Sequence, residues 1–85
     1  MIENKVLVTV NVPSLEKKYD VYIPVNRKIH SVIEMIKNIL YSVSQGAFNM
    51  NNEYLLYNAE DGTMYDINLL VRDTNIRNGS YVILL

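Results

Sequence analysis

The chain has 85 residues, with eight Lys and Arg against nine Asp and Glu, and a formal net charge of −1. This suits one small domain, residues 1–85, and the scattered charges leave no electrostatic footprint for nucleic acid or an anionic membrane. Cysteine is absent, which excludes disulfides, thiolate metal sites and cysteine nucleophiles. No apolar run approaches the ~20 residues of a membrane span, and the acidic start Met1-Ile2-Glu3 does not read as a signal peptide. The expectation is a complete cytoplasmic protein without direct membrane insertion. Eleven Asn, nine Ile and seven Tyr are dispersed as in the product of an AT-rich genome, with enough apolar residues for a core.

From Lys5 to Val12, Val6, Val8, Val10 and Val12 alternate with Leu7, Thr9 and Asn11, the period-two pattern of a half-buried strand. Pro13-Ser14 and Glu16-Lys17-Lys18 read as a turn. Tyr19, Val21 and Ile23 alternate again until Pro24 stops the strand, completing a hairpin. Ile29, Val32, Ile33, Ile36, Ile39, Leu40 and Val43 then recur at steps of three and four, an amphipathic helix with His30, Ser31, Glu34, Lys37 and Asn38 opposite. Asn26 is the expected N-cap and Gly46 the expected C′ residue.

The polar loop Asn49–Glu53 is expected to be pinned by Phe48 and Met50. Tyr54–Asn58 reads as a third strand, Asp61-Gly62 as a turn and Met64–Ile67 as a short fourth strand. Leu69–Ile76 reads as a packed turn with one turn of 3₁₀ helix, and Ser80–Leu85 closes the sheet. The fold class expected is α+β: a mixed sheet of four to five strands with one helix on one face. A single helix leaves the other sheet face to solvent or a partner.

The opening Val6-x-Val8-x-Val10, Pro24-Val25, Ile29-x-x-Val32-Ile33, Asp73-x-x-Ile76-x-x-Gly79 and the final Val82-x-Leu84-Leu85 resemble a ubiquitin-like β-grasp domain over nearly the whole chain. Within that superfamily they look most like the EsaB/YukD-type proteins found with type VII (WXG100) secretion systems of Gram-positive bacteria. In that family the chain also ends on its last strand without a Gly-Gly tail. The resemblance therefore implies a non-conjugated, cytosolic accessory or regulatory protein that recognises other proteins, including secretion-machine membrane components. It implies no enzyme activity and no cofactor. Two departures are Gly79-Ser80, where many relatives have Gly-Asp, and a longer loop over 47–52.

Alternation predicts that Val6, Val8, Val10, Val21, Ile23, Leu55, Tyr57, Val82 and Leu84 meet the helix. The partner-binding face is then Leu7, Thr9, Tyr22, Tyr54, Leu56, Tyr81, Ile83 and Leu85, an apolar, Tyr-rich surface suited to an interface. By the resemblance, Leu56 and Leu85 fall where ubiquitin carries its apolar recognition patch. Strand propensity alone also favours such residues. Arg27 and Lys28, at the helix start, are a secondary basic contact for an anion or acidic partner, since exposed helix amides and two cations would cooperate; the alternative reading is solvated side chains.

His30 has no second His, Cys or carboxylate cluster with ligand spacing, so no metal site is expected. No nucleophile elbow or Gly-rich loop is present either. Alternatives to hetero-recognition are a homodimer, a structural subunit self-associating through the same face, and a divergent carrier of the sulfur-carrier type. The carrier reading is weakened by bulky Leu84-Leu85 in place of glycines.

Overall fold

A computed structural model describes residues 4–85; the acidic start Met1-Ile2-Glu3 lies outside them. The elements are β1 (Lys5–Val12), β2 (Lys17–Pro24), α1 (Ile29–Val43), β3 (Leu56–Asn58) and β4 (Tyr81–Leu84), with 3₁₀ turns at Pro13–Leu15 and Val71–Asp73. The sheet order is β2-β1-β4-β3. β1 runs antiparallel to β2 with Val8 opposite Val21, and parallel to β4 with Val10 opposite Val82. β3 runs antiparallel to β4 with Leu56 opposite Leu84. Four strands and one helix match the α+β arrangement expected. The proposed strand over 64–67 reduces to one bridge, Tyr57 to Met64, because Asp66 turns the chain by accepting from the Asn68 N–H at 2.8 Å.

The core lies between α1 and one sheet face. Val8, Val10, Val12, Val21, Ile23, Leu56, Val82 and Leu84 from the strands meet Ile29, Val32, Ile33, Ile36 and Leu40 from the helix, joined by Phe48, Val71 and Ile76. Each fully buried aliphatic or aromatic side chain contributes about 1.5–3 kcal/mol of transfer free energy, so this layer supplies most of the fold's driving force.

Both ends of α1 differ from expectation. Its N-cap is Lys28, which makes no side-chain cap bond. Instead the Ile29 N–H donates to the Leu69 carbonyl at 2.9 Å and the His30 N–H to Ile67 at 3.1 Å. A distant turn thus satisfies the first helical donors. At the other end Gln45 takes the left-handed C′ conformation (φ 54°), and Gly46 (φ 85°) follows it. Gly46 N–H donates to Tyr41 at 2.9 Å and Gln45 N–H to Ser42 at 3.2 Å, the double bond pattern of a Schellman cap. The capping residue Ser44 then accepts the Phe48 N–H on its Oγ at 2.9 Å, aiming Phe48 into the core.

Two helix positions also depart from the stripe. Val43, expected inside, is exposed on the last turn, and Lys37, expected on the polar face, is buried. The Lys37 ammonium reaches Glu34 at 3.3 Å and lies 6.0 Å from the centre of the Tyr54 ring.

Candidate interaction surface

Opposite α1 the sheet carries no second layer among the described residues. The side chains there follow from pairing. Leu7 stands opposite Tyr22, and Thr9 opposite both Asp20 and Tyr81. Asn11 stands opposite Lys18 and Ile83, and Ile83 opposite Tyr57. Beyond the regular strands Leu55 and Leu85 exchange both main-chain bonds, at 3.0 and 3.1 Å. They form one further row in the same alternation. Tyr22, Tyr81 and Leu85 are 49%, 57% and 62% exposed, and Leu7, Leu55, Tyr57 and Ile83 are half-buried among them.

The face is uneven. Leu55, Tyr57, Tyr81, Ile83 and Leu85 form a continuous apolar area on β3 and β4. Leu7 and Tyr22 form a smaller island on β1 and β2. Between them runs a polar row in which the Thr9 hydroxyl donates to Asp20 at 2.8 Å. Large rings and branched aliphatics on a flat, pre-ordered sheet can bury area against a protein with little loss of side-chain freedom.

Of the residues expected on this face, Leu7, Thr9, Tyr22, Tyr81, Ile83 and Leu85 lie on it. Leu56 and Tyr54 do not. Leu56 is fully buried against Leu84, and Tyr54 turns inward to stack on Phe48 with ring centres 4.9 Å apart. Leu55 and Tyr57, expected inside, occupy the outer face instead. The third strand is therefore out of phase by one residue, which exchanges its two faces completely.

Its sequence, Tyr54-Leu55-Leu56-Tyr57, is apolar throughout and favours neither phase. The polar Asn58 points to the wrong one. It shares the inner phase with Leu56, but it sits at the strand end, where its Oδ1 accepts the Glu60 N–H at 2.8 Å. Only pairing with β4 decides the phase, and that pairing would have recovered Leu55 and Tyr57.

The segment leading into β4 explains why that strand sits where it does. Ile76 is buried and Gly79 adopts φ 86°, a conformation that disfavours any Cβ. Gly79 N–H donates to the Leu7 carbonyl at 2.8 Å, while Asn78 Oδ1 accepts the Leu7 N–H at 2.7 Å. These bonds dock the start of β4 on β1 and set the rows described above.

Arg27 and Lys28 are both exposed, but the amides beside them are engaged. Ile29 and His30 bond to Leu69 and Ile67, and the Ser31 N–H bonds to Lys28 at 3.0 Å. The cooperation of free helix amides with two cations therefore has no basis here, and these residues read as solvated side chains. His30 is exposed. The Asp61 carboxylate accepts from the Thr63 N–H at 3.0 Å and hydroxyl at 2.7 Å, and these bonds hold its pKa below the usual carboxylate value. It serves a turn. Among the described residues no helix is long and apolar enough to cross a membrane.

Comparison with known proteins places this geometry. No family model and no curated protein sequence matches the chain. Solved structures do. The ubiquitin-like domain of the Mycobacterium tuberculosis type VII secretion protein ECCD1 is similar with a TM-score of 0.75 at 13% identity, over 98% of this chain and 99% of that one. A chain of the MycP5-free ESX-5 inner membrane complex is similar with a TM-score of 0.71 at 11% identity, over 98% of this chain and 21% of that one. A ubiquitin-like protein from Trypanosoma brucei is similar with a TM-score of 0.70 at 14% identity, over 99% and 96%. The chain has the ubiquitin-like β-grasp fold.

Proposed function

We propose that this chain is a non-catalytic, ubiquitin-like protein-interaction domain that acts by non-covalent recognition at the cytoplasmic side of a type VII (WXG100) secretion machine. Its role there is that of an EsaB/YukD-type accessory or regulatory component. The observation that carries the recognition reading is the uncovered outer sheet face, where Tyr57, Tyr81, Ile83, Leu85 and Leu55 form one apolar area beside Leu7 and Tyr22. A solvated sheet face normally alternates to polar residues, and contiguous apolar area on a small domain marks an interaction site. The setting is supported by the similarity to ECCD1 and to a chain of the ESX-5 inner membrane complex.

The test is capture of the detergent-solubilised secretion complex from host membranes by immobilised protein, wild type beside Leu85→Asp and Tyr81→Ser. Retention of the inner-membrane components by wild type and their loss with both variants is the expected result. Equal retention by all three proteins would remove the sheet face as the site, and no retention by any would remove the secretion assignment.

A further inference from the structure

The two edges of the sheet are treated differently. The outer edge of β3 is covered: Asn58 N–H donates to Thr63 at 2.8 Å, and Tyr65 N–H donates to Leu56 at 2.9 Å. The outer edge of β2 is bare among the described residues. β1 turns the main-chain groups of Leu7 and Thr9 toward β4, as the bonds from Gly79 to Leu7 and from Thr9 to Ser80 show. By alternation Val6, Val8, Val10 and Val12 bond to Ile23, Val21, Tyr19 and Lys17. The N–H and C=O groups of Lys18, Asp20 and Tyr22 then point outward, with no partner. Such a row is a template for one more strand.

We infer that the occupant is the β2 edge of a second copy, paired antiparallel about a two-fold axis at Tyr19. Charge complementarity selects both the partner and the register. With Tyr19 opposite Tyr19, Lys18 faces Asp20 of the second copy and Asp20 faces its Lys18. Each of these two pairs exchanges both main-chain bonds. Sliding the strands to place Asp20 at the axis sets carboxylate against carboxylate, and placing Lys18 there sets ammonium against ammonium. Both arrangements are unfavourable for directly opposed side chains. A lysine on a strand edge ordinarily discourages pairing; here the acidic residue two positions on converts it into a self-complementary pattern.

The surface beside the edge fits the same partner. On the helix side of β2 a depression of about 350 Å³ is lined by Leu15, Tyr19 and Val43 together with Lys17, Ser44 and Gln45. Val43 is 54% exposed there, the only position of the helical stripe left so open. In the paired arrangement the two Tyr19 rings meet on this side of the joined sheet, next to Val43 of each copy. The eight-stranded sheet that results sets two copies of the outer face side by side, an arrangement suited to a repeated partner.

The inference does not depend on the proposed function, and the test separates them. Sedimentation equilibrium of the full chain is expected to give about twice the 9.8 kDa chain mass. Lys18→Asp and Asp20→Lys each place like charges opposite each other twice, so each is expected to weaken the dimer about tenfold or more and to sediment as a monomer. Mixing the two variants restores opposite charges across the axis and is expected to return the dimer mass. Circular dichroism is expected to show that both variants keep the fold, since Lys18 and Asp20 are exposed. Leu85→Asp, on the same face but beyond β4 and away from the β2 edge, is expected to remain dimeric.

A wild-type monomer at every concentration would overturn the inference. So would a dimer that survives both single variants, or a mixture that stays monomeric. A dimer broken by Leu85→Asp but not by Lys18→Asp would place self-association on the sheet face and overturn the edge.

Discussion

Both faces of this sheet carry large apolar side chains, but one set is sealed against the helix and the other is open. The inner face sets Val8, Val10, Val21, Ile23, Leu56, Val82 and Leu84 against the helix, none more than 6% exposed. The outer face carries Tyr22, Tyr57, Tyr81 and Ile83 on the same strands, and Leu85 just after β4, one residue out of phase, with no layer over them among the described residues. Hydrophobicity does not distinguish the two sets. Phase does: one step along a strand separates a side chain that holds the fold from one that is free to meet a partner. The difference teaches that on this sheet which large apolar side chains stay open is decided by register.

Substitutions that move one side chain across this divide give the sharpest tests. Leu56→Asp places an unpaired carboxylate in the core and is expected to leave the chain unfolded by circular dichroism at neutral pH. The milder Leu56→Ala is expected to cost about 2–5 kcal/mol in urea unfolding, the range for a fully buried leucine. Gly79→Ala keeps both faces but strains the turn that docks β4 on β1. Nothing lies within 4 Å of a Cβ added at Gly79, so the cost there is backbone strain, about 1–2 kcal/mol.

Tyr65 lies on the covered side, 8% exposed, and its hydroxyl donates to Asn75 at 2.7 Å. Burial pushes its phenol above the ordinary tyrosine pKa. Because the folded state holds that proton more tightly than the unfolded state, stability is expected to fall as pH rises above about 10. Tyr65→Phe is expected to flatten that slope and to cost about 1 kcal/mol at neutral pH through the lost hydrogen bond. Smallest of all, Tyr81→Ser and Leu85→Asp on the open face are expected to change the urea midpoint by no more than about 0.5 kcal/mol of stability. A loss near that of Leu56→Ala at either position would mean that the outer face also holds the fold.

How much of this was legible in the sequence depended on polar markers. In β1, Thr9 and Asn11 separate the valines and declare the phase; in β2, Asp20 separates Tyr19 from Val21, although Lys17 and Lys18, read as part of the turn, already belong to the strand. Both strands read correctly to the residue facing. The helix was legible from its stripe, because Ile29, Val32, Ile33, Ile36 and Leu40 permit only one buried side. Its ends were not, since the donors at its start are met by Leu69 and Ile67, some forty positions away, and sequence spacing carries no trace of such a bond. The third strand failed for want of a marker: four apolar residues in succession fit either phase, and Asn58 misleads because it caps a turn. Lys37 reads as surface from its charge alone, yet it is buried, with its ammonium reaching Glu34.

The most direct test of the division between faces is a paired measurement on Leu56→Ala and Leu85→Asp, each assayed for urea stability and for retention of the solubilised secretion complex. The account predicts a double dissociation. Leu56→Ala loses stability but, where folded, retains the complex as wild type does. Leu85→Asp keeps wild-type stability and loses the complex. Leu85→Asp binding as wild type does, or Leu56→Ala proving as stable as wild type, would contradict it.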